Sequence, residues 1–198
     1  MRERYTGNKG KPPAMKRPLA RAFIAASLCA ASVLAVPPLF SEIPEQRVKA
    51  AFIEKFTHFI EWPEGSLGRQ GQFVIGVIGY SQVTPHLLDI VSGRRLRDRD
   101  LVLKSVGNGP ALSECQVLFI APGEGPNLAA ILARVRHRPV LTVADTPGFA
   151  ERGVMINLFR SGSYVRFEIN MDEVKRSPLK FSSKLLVLSK NVSQAGTK

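Results

Sequence analysis

The residues best placed to do chemistry are few. Glu54, His58 and Glu61 follow one another at helical spacing and share a face that in principle holds a metal ion. They lack the cysteine or third histidine of zinc-ligand patterns, so an exposed polar face is the simpler reading and no metal is expected. Asp145-Thr-Pro-Gly148 follows a strand-like run and has the DxxG form of a phosphate-sensing turn. That element works with a GxxxxGK[ST] phosphate cradle, and the chain has none, so an ordinary turn is expected. Gly76 and Gly79 bracket Val77-Ile78 without a third glycine at dinucleotide-binding distance, which points to close packing. Ser182 and Ser183 precede Lys184, a pattern that suits a helix start better than a catalytic pair. No GxSxG elbow occurs. The residues argue against an enzyme and imply no cofactor.

Binding residues remain. Trp62, the single tryptophan, stands where a Phe-rich segment meets Pro63. Indole offers a large rigid surface with one donor, so Trp62 is either core edge or, with Phe59, a binding anchor. Arg94, Arg95, Arg97 and Arg99 are interleaved with Asp98 and Asp100 and lack aromatic neighbours, as do Arg134, Arg136 and Arg138. Neither cluster resembles a nucleic-acid stacking platform, and solvated faces are expected.

The elements that must position these residues read as follows. Val48, Ala51, Phe52, Phe56, Phe59 and Ile60 make one stripe of an amphipathic helix over 44–60, with Glu45, Lys49, Glu54 and Lys55 assigned to the other side. Pro63 ends it at Trp62. Buried strands are expected at 73–79 and 116–121, an alternating strand at 101–106, and helices at 83–91 and, from an Asn127 cap, through Val135. Val140–Val143 reads as a continuous strand-like run, apolar but for Thr142, and belongs mid-sheet. Val154–Phe159 and Tyr164–Ile169 alternate around Arg-Ser-Gly-Ser and form a marginal hairpin with Arg166 on its wet face. A short helix over 171–176 and a final amphipathic helix over 179–190 close the chain, leaving 193–198 as polar tail. The fold class is therefore α/β: a compact single domain with a mixed, mostly parallel sheet, helices on both faces, and a C-terminal β-hairpin plus helix.

At 198 residues and 44% hydrophobic content there is material for one good core. The net charge of +12 invites a nucleic-acid reading, but residues 1–41 hold seven of the basic residues against one acid, so about half the excess is local. That segment reads as an export signal. Basic residues run to Arg21, the apolar run Ala22–Val36 is 15 residues long, and Pro37-Pro38 follows. A membrane span needs about 20 apolar residues. Cleavage is expected between 35 and 41, with translation starting at Met1 or Met15, and residues 42–192 form the domain. Cys115 is then the one cysteine of the mature chain, buried and inert or linked to another molecule.

Three blocks, in order, resemble the YfiR-like family of exported bacterial domains. They are Val48-Lys-Ala-Ala-Phe-Ile-Glu-Lys-Phe-Thr-His-Phe-Ile-Glu-Trp-Pro63, Phe73-Val-Ile-Gly-Val-Ile-Gly79, and a C-terminal set. That set comprises Val140–Asp145, Gly148–Ala150, Gly153–Leu158, Val165–Asn170 and Leu179–Leu186, with Cys115–Ile120 also matching. The resemblance implies a periplasmic, non-enzymatic regulator. It would bind and repress an inner-membrane diguanylate cyclase or other membrane sensor, controlling cyclic-di-GMP. It also implies a homodimer and an outer-membrane lipoprotein as a second partner. Redox control by internal disulfides does not carry over to a lone Cys115. Candidate contact residues are Phe59, Trp62, Pro63 and Arg166. The alternative is a small-ligand binding module with its pocket at the strand C-terminal ends, near Asp145 or Gly79.

Overall fold

The computed structural model describes residues 44–67 and 71–192; the expected leader and polar tail lie outside them. Helix α1 (Glu45–Phe59) opens the domain and runs into β1 (Ile60–Glu61). Then follow β2 (Gln72–Ile78), α2 (Val83–Val91), β3 (Arg95–Leu96), β4 (Arg99–Ser105), β5 (Val117–Ile120), α3 (Leu128–Val135) and β6 (Leu141–Ala144). The hairpin β7 (Ile156–Ser161) and β8 (Tyr164–Asn170) precedes α4 (Met171–Arg176), β9 (Lys180–Phe181), α5 (Ser183–Leu188) and β10 (Lys190–Val192). Short 3-10 helices at Pro110–Glu114 and Pro122–Asn127 lead into β5 and α3.

Eight strands form one sheet in the order β10-β8-β7-β6-β5-β2-β4-β3, and only the β7–β8 and β3–β4 pairings are antiparallel. The expected mixed, mostly parallel α/β sheet is therefore the one observed. Both faces are covered. Side chains alternate along β5, Val117 and Phe119 joining the core beneath α1 and α2 while Leu118 and Ile120 join the core beneath α3. That two-sided burial is why these strands read as unbroken apolar runs. Gly76 sits in β2 where a methyl group would collide with the Cys115 sulfur and press on Val106 at 3.3 Å. Close packing explains this glycine. Cys115 itself is buried, and desolvation, helped by the charge of Glu114, pushes its thiol up to about 11, which keeps it from reacting as a thiolate.

Three sequence expectations need correction. The final segment is not one helix over 179–190: Lys180–Phe181 pairs antiparallel with Ile60–Glu61, α5 is only six residues, and Lys190–Val192 adds a parallel strand beyond β8. Ser182 takes the N-cap position and accepts from the Leu185 amide at 3.3 Å, so the helix starts there. The second correction concerns α1, whose Lys49 and Glu54 were assigned to the solvent side. Both are buried, at 8% and 4% exposure, alongside Ala50, Ile53, Phe56 and Thr57. They are tolerated inside because each is paired: Lys49 with Glu45 at 2.8 Å and Asp145 at 3.0 Å, Glu54 with His58 at 3.0 Å and Arg94 at 3.4 Å. Asn127 also departs from expectation, since its side chain meets Glu124 and does not cap α3.

The first arginine cluster is part of the scaffold. Arg97 and Arg99 donate to the carbonyls of Ile60 and Leu67, pinning the segment between α1 and β2, and Arg95 meets Asp98 and Asp100.

Candidate functional site: an apolar groove between the first and last helices

Because Lys49, Ala50, Ile53 and Thr57 face inward, the Val48–Ala51–Phe52–Lys55–Phe59 side of α1 is turned outward. Helix α5 faces it. The two are held together by the β1–β9 pairing and by the Ser182 amide, which donates to the Phe59 carbonyl at 2.9 Å. Between them lies a groove of about 320 Å³ walled by α1, by Leu185 and Leu188 of α5, and by Phe167 of β8. Its floor is a three-ring cluster: Phe56–Phe167 centroids are 5.2 Å apart, edge to face, and Phe52 lies 5.8 Å from Phe167 and 5.9 Å from Phe56. Among the described residues Lys55 is the only charged one in the lining.

The groove's outer lip is apolar and wet. Leu188 is 73% exposed and Val187 83%. A single exposed leucine needs no explanation, but two beside a groove with almost no polar lining do. Arg47 precedes Ala51 by one helical turn, and Lys184 precedes Leu188 likewise, so both exposed cations flank the groove on the ridges of its walls. With Lys55 they give an apolar trough a basic rim. Such a trough matches an amphipathic segment with apolar anchors at helical spacing and acidic flanks.

The expected site residues scatter around this feature. Phe59 lines it. Trp62 points inward: 7% exposed, its ring stands edge-on to Phe73 at 4.9 Å and its Nε1 donates to the Gln116 carbonyl at 3.3 Å. Pro63 is half-buried in the connection, where its carbonyl accepts from Ser66. Arg166 is exposed on β8 opposite Phe159, on the face that alternates with Phe167 and so away from the groove. Asp145 ends β6 and pairs with Lys49. Burial alone would pull the Lys49 ammonium down, but the hydrogen bonds and charges of Glu45 and Asp145 outweigh it and hold it above 10.5.

At the alternative pocket position, Asp145 Oδ1 and Thr146 Oγ1 are buried without a hydrogen-bond partner among the described residues. The Asp145 turn folds so that the Phe149 amide donates to the Thr146 carbonyl, and the Thr146 amide donates to Asn157 Oδ1 at 3.1 Å. Asn157 in turn donates to Glu168 at 3.0 Å. Beside Gly79, whose φ of +81° suits only glycine, Ala121 and Glu124 occupy the space. Glu61 lies in β1, outside the helix that carries Glu54 and His58. Among the described residues no group of three or more histidine, cysteine or carboxylate side chains is placed to hold a metal ion, and no helix is long and apolar enough to cross a membrane.

Sequence reading missed Leu185, Leu188 and Phe167 as groove residues. A signal was present: α1 carries Val48, Ala50, Ala51, Phe52, Ile53, Phe56 and Phe59, more apolar surface than one side of a helix on a sheet can bury. The family model described as YfiR/HmsC-like matches residues 46–190. No curated protein matches the chain.

Proposed function

The chain belongs to the YfiR/HmsC-like family, and from that premise we propose that it is an exported, non-enzymatic regulator that docks on a membrane signalling protein through the groove between α1 and α5. The partner class that fits the family is an inner-membrane diguanylate cyclase whose periplasmic portion offers an amphipathic segment. Docking there represses cyclic-di-GMP synthesis. The leader over 1–41 directs the protein to the periplasm and is removed near 35–41. An outer-membrane lipoprotein competing for the same protein, and a homodimer as the working unit, complete the reading.

The observation that carries it is the apolar trough with its wet Val187–Leu188 lip and basic rim. The contact residues are Phe59, Phe52 and Leu188, with Arg47, Lys55 and Lys184 meeting acidic flanks. Trp62, packed inside against Phe73, stays out of the contact.

The test compares a deletion strain complemented with the wild-type chain or with Leu188→Ser. Intracellular cyclic-di-GMP and capture of cyclase from membrane extract are both measured. Deletion is expected to raise cyclic-di-GMP, wild type to restore it, and Leu188→Ser to fail at equal protein level while losing the captured cyclase. Full repression and capture by Leu188→Ser would remove the groove from the mechanism. Unchanged cyclic-di-GMP on deletion would remove the cyclase.

A further inference from the structure

A second concavity shares no residue with the groove. It lies between the end of α3 and α4, with Arg136, His137, Thr142, Glu173, Arg176 and Ser177 among its lining. Its volume is about 20 Å³, room for one water-sized group. Thr142 is 1% exposed there. Its Oγ1 accepts from the Met155 amide at 2.9 Å, and among the described residues its own hydroxyl proton has no acceptor. A buried hydroxyl with an unused proton, in a residue that lines so small a cavity, calls for an oxygen acceptor.

The mouth of the slot is cationic and strained. Arg176 pairs with Glu173 at 2.8 Å, which leaves Arg136, exposed and with no partner among the described residues, as the surplus charge. His137 stands beside it, its Nδ1 3.4 Å from the Arg176 carbonyl. The backbone at His137 is left-handed, φ +62°. Helices α2 and α3 end in the same turn. After α2, Ser92 (φ −57°, ψ 124°) is followed by Gly93 at φ +69°; after α3, Arg136 (φ −56°, ψ 135°) is followed by His137. That turn asks for glycine at its second central position, and only the second copy places an imidazole there. A non-glycine residue held in this conformation at the mouth of a pocket is strain of the kind kept for function.

We propose that this pocket binds a small phosphate-type oxyanion. One oxygen enters the slot and accepts the Thr142 proton, while Arg136 and the His137 ring hold the remaining oxygens at the mouth. A free phosphate and the phosphate of a lipid headgroup share this chemistry.

The test is thermal unfolding of the purified chain titrated with inorganic phosphate at constant ionic strength, chloride being the exchanged ion. Phosphatidic acid vesicles against phosphatidylcholine vesicles form a parallel binding arm. Binding is expected to raise the wild-type Tm by about 5–10 °C at a hundredfold excess over Kd. Arg136→Ala, an exposed change that leaves folding intact, is expected to abolish the rise. His137→Gly is expected to raise the basal Tm by relieving the turn and yet to lose the phosphate response, a split that a purely structural histidine would not produce. A response confined to the vesicle arm and lost in both variants assigns the site to lipid phosphate. Wild-type behaviour equal to the chloride and phosphatidylcholine controls, or a full response retained by both variants, overturns the proposal.

Discussion

Trp62→Ala separates the two roles open to the single tryptophan. In the structure the indole is 7% exposed, edge-on to Phe73 at 4.9 Å, and bonded to the Gln116 carbonyl at 3.3 Å. Removing a buried tryptophan costs about 3–5 kcal/mol, the spread reflecting how far the neighbours collapse into the space. The hydrogen bond adds little to that cost, because the Gln116 carbonyl still accepts from the Leu141 amide at 2.9 Å and is not orphaned. Taking about 4 kcal/mol and a urea slope of about 2 kcal/mol/M, the unfolding midpoint should fall by about 2 M with the slope unchanged. Equilibrium urea unfolding followed by far-UV circular dichroism measures this. A midpoint within about 0.5 M of wild type would refute the reasoning and return Trp62 to the surface as a contact residue. Should the drop occur, loss of regulation in this variant reports a lower folded fraction and says nothing about docking.

Leu188→Ser should behave oppositely. At 73% exposure it changes stability by no more than about 0.5 kcal/mol, while losing a leucine buried on docking weakens binding by about 1.5–3 kcal/mol, roughly 10- to 150-fold in Kd by titration against the partner segment. Gly76→Ala should destabilise by about 1–3 kcal/mol through the clash with the Cys115 sulfur, and Cys115→Ala in the same chain should recover most of it in a double-mutant cycle. Glu54 supplies a pH dependence. Burial pulls its carboxyl upward, but the His58 hydrogen bond and the charges of Lys55, His58 and Arg94 prevail and hold it below 4.5. Its stabilisation is therefore present above pH 4.5 and lost as the pH falls through the folded value. Glu54→Gln should unfold about 1.5–3 kcal/mol more easily than wild type at pH 6, and the gap should close towards pH 3 in paired thermal melts.

Much of the scaffold was legible because short-range rules govern it. Helices over 83–91 and 171–176 fall as the apolar spacing and stop residues indicate, and β5 announces itself by an unbroken apolar run. The hairpin was legible too, although β10 and not β8 forms the sheet edge, since a three-residue parallel strand leaves no pattern of its own. What could not be read depends on partners distant in sequence. Lys49 looks like a surface residue until Asp145, 96 positions on, is beside it, and Glu54 until Arg94 is. The break in the last helix comes from Phe181 pairing with Ile60, not from any helix breaker within 179–190. The groove is the extreme case. Its phenylalanines were visible, but an apolar stripe does not say whether a sheet or a trough will receive it.

The two walls of that groove also differ in when they come into being. Phe59 and Leu185 stand 126 residues apart, so a chain emerging N-terminus first presents α1 long before Phe167 or α5 exists. At about 5–20 residues per second that interval is roughly 6–25 s. Throughout it the Phe-rich side of α1 has no second wall, and the groove is assembled last, by the closing strand and helix. Any product cut short before Ser182 would carry one apolar wall of the groove without the other, a bare hydrophobic face in place of a trough.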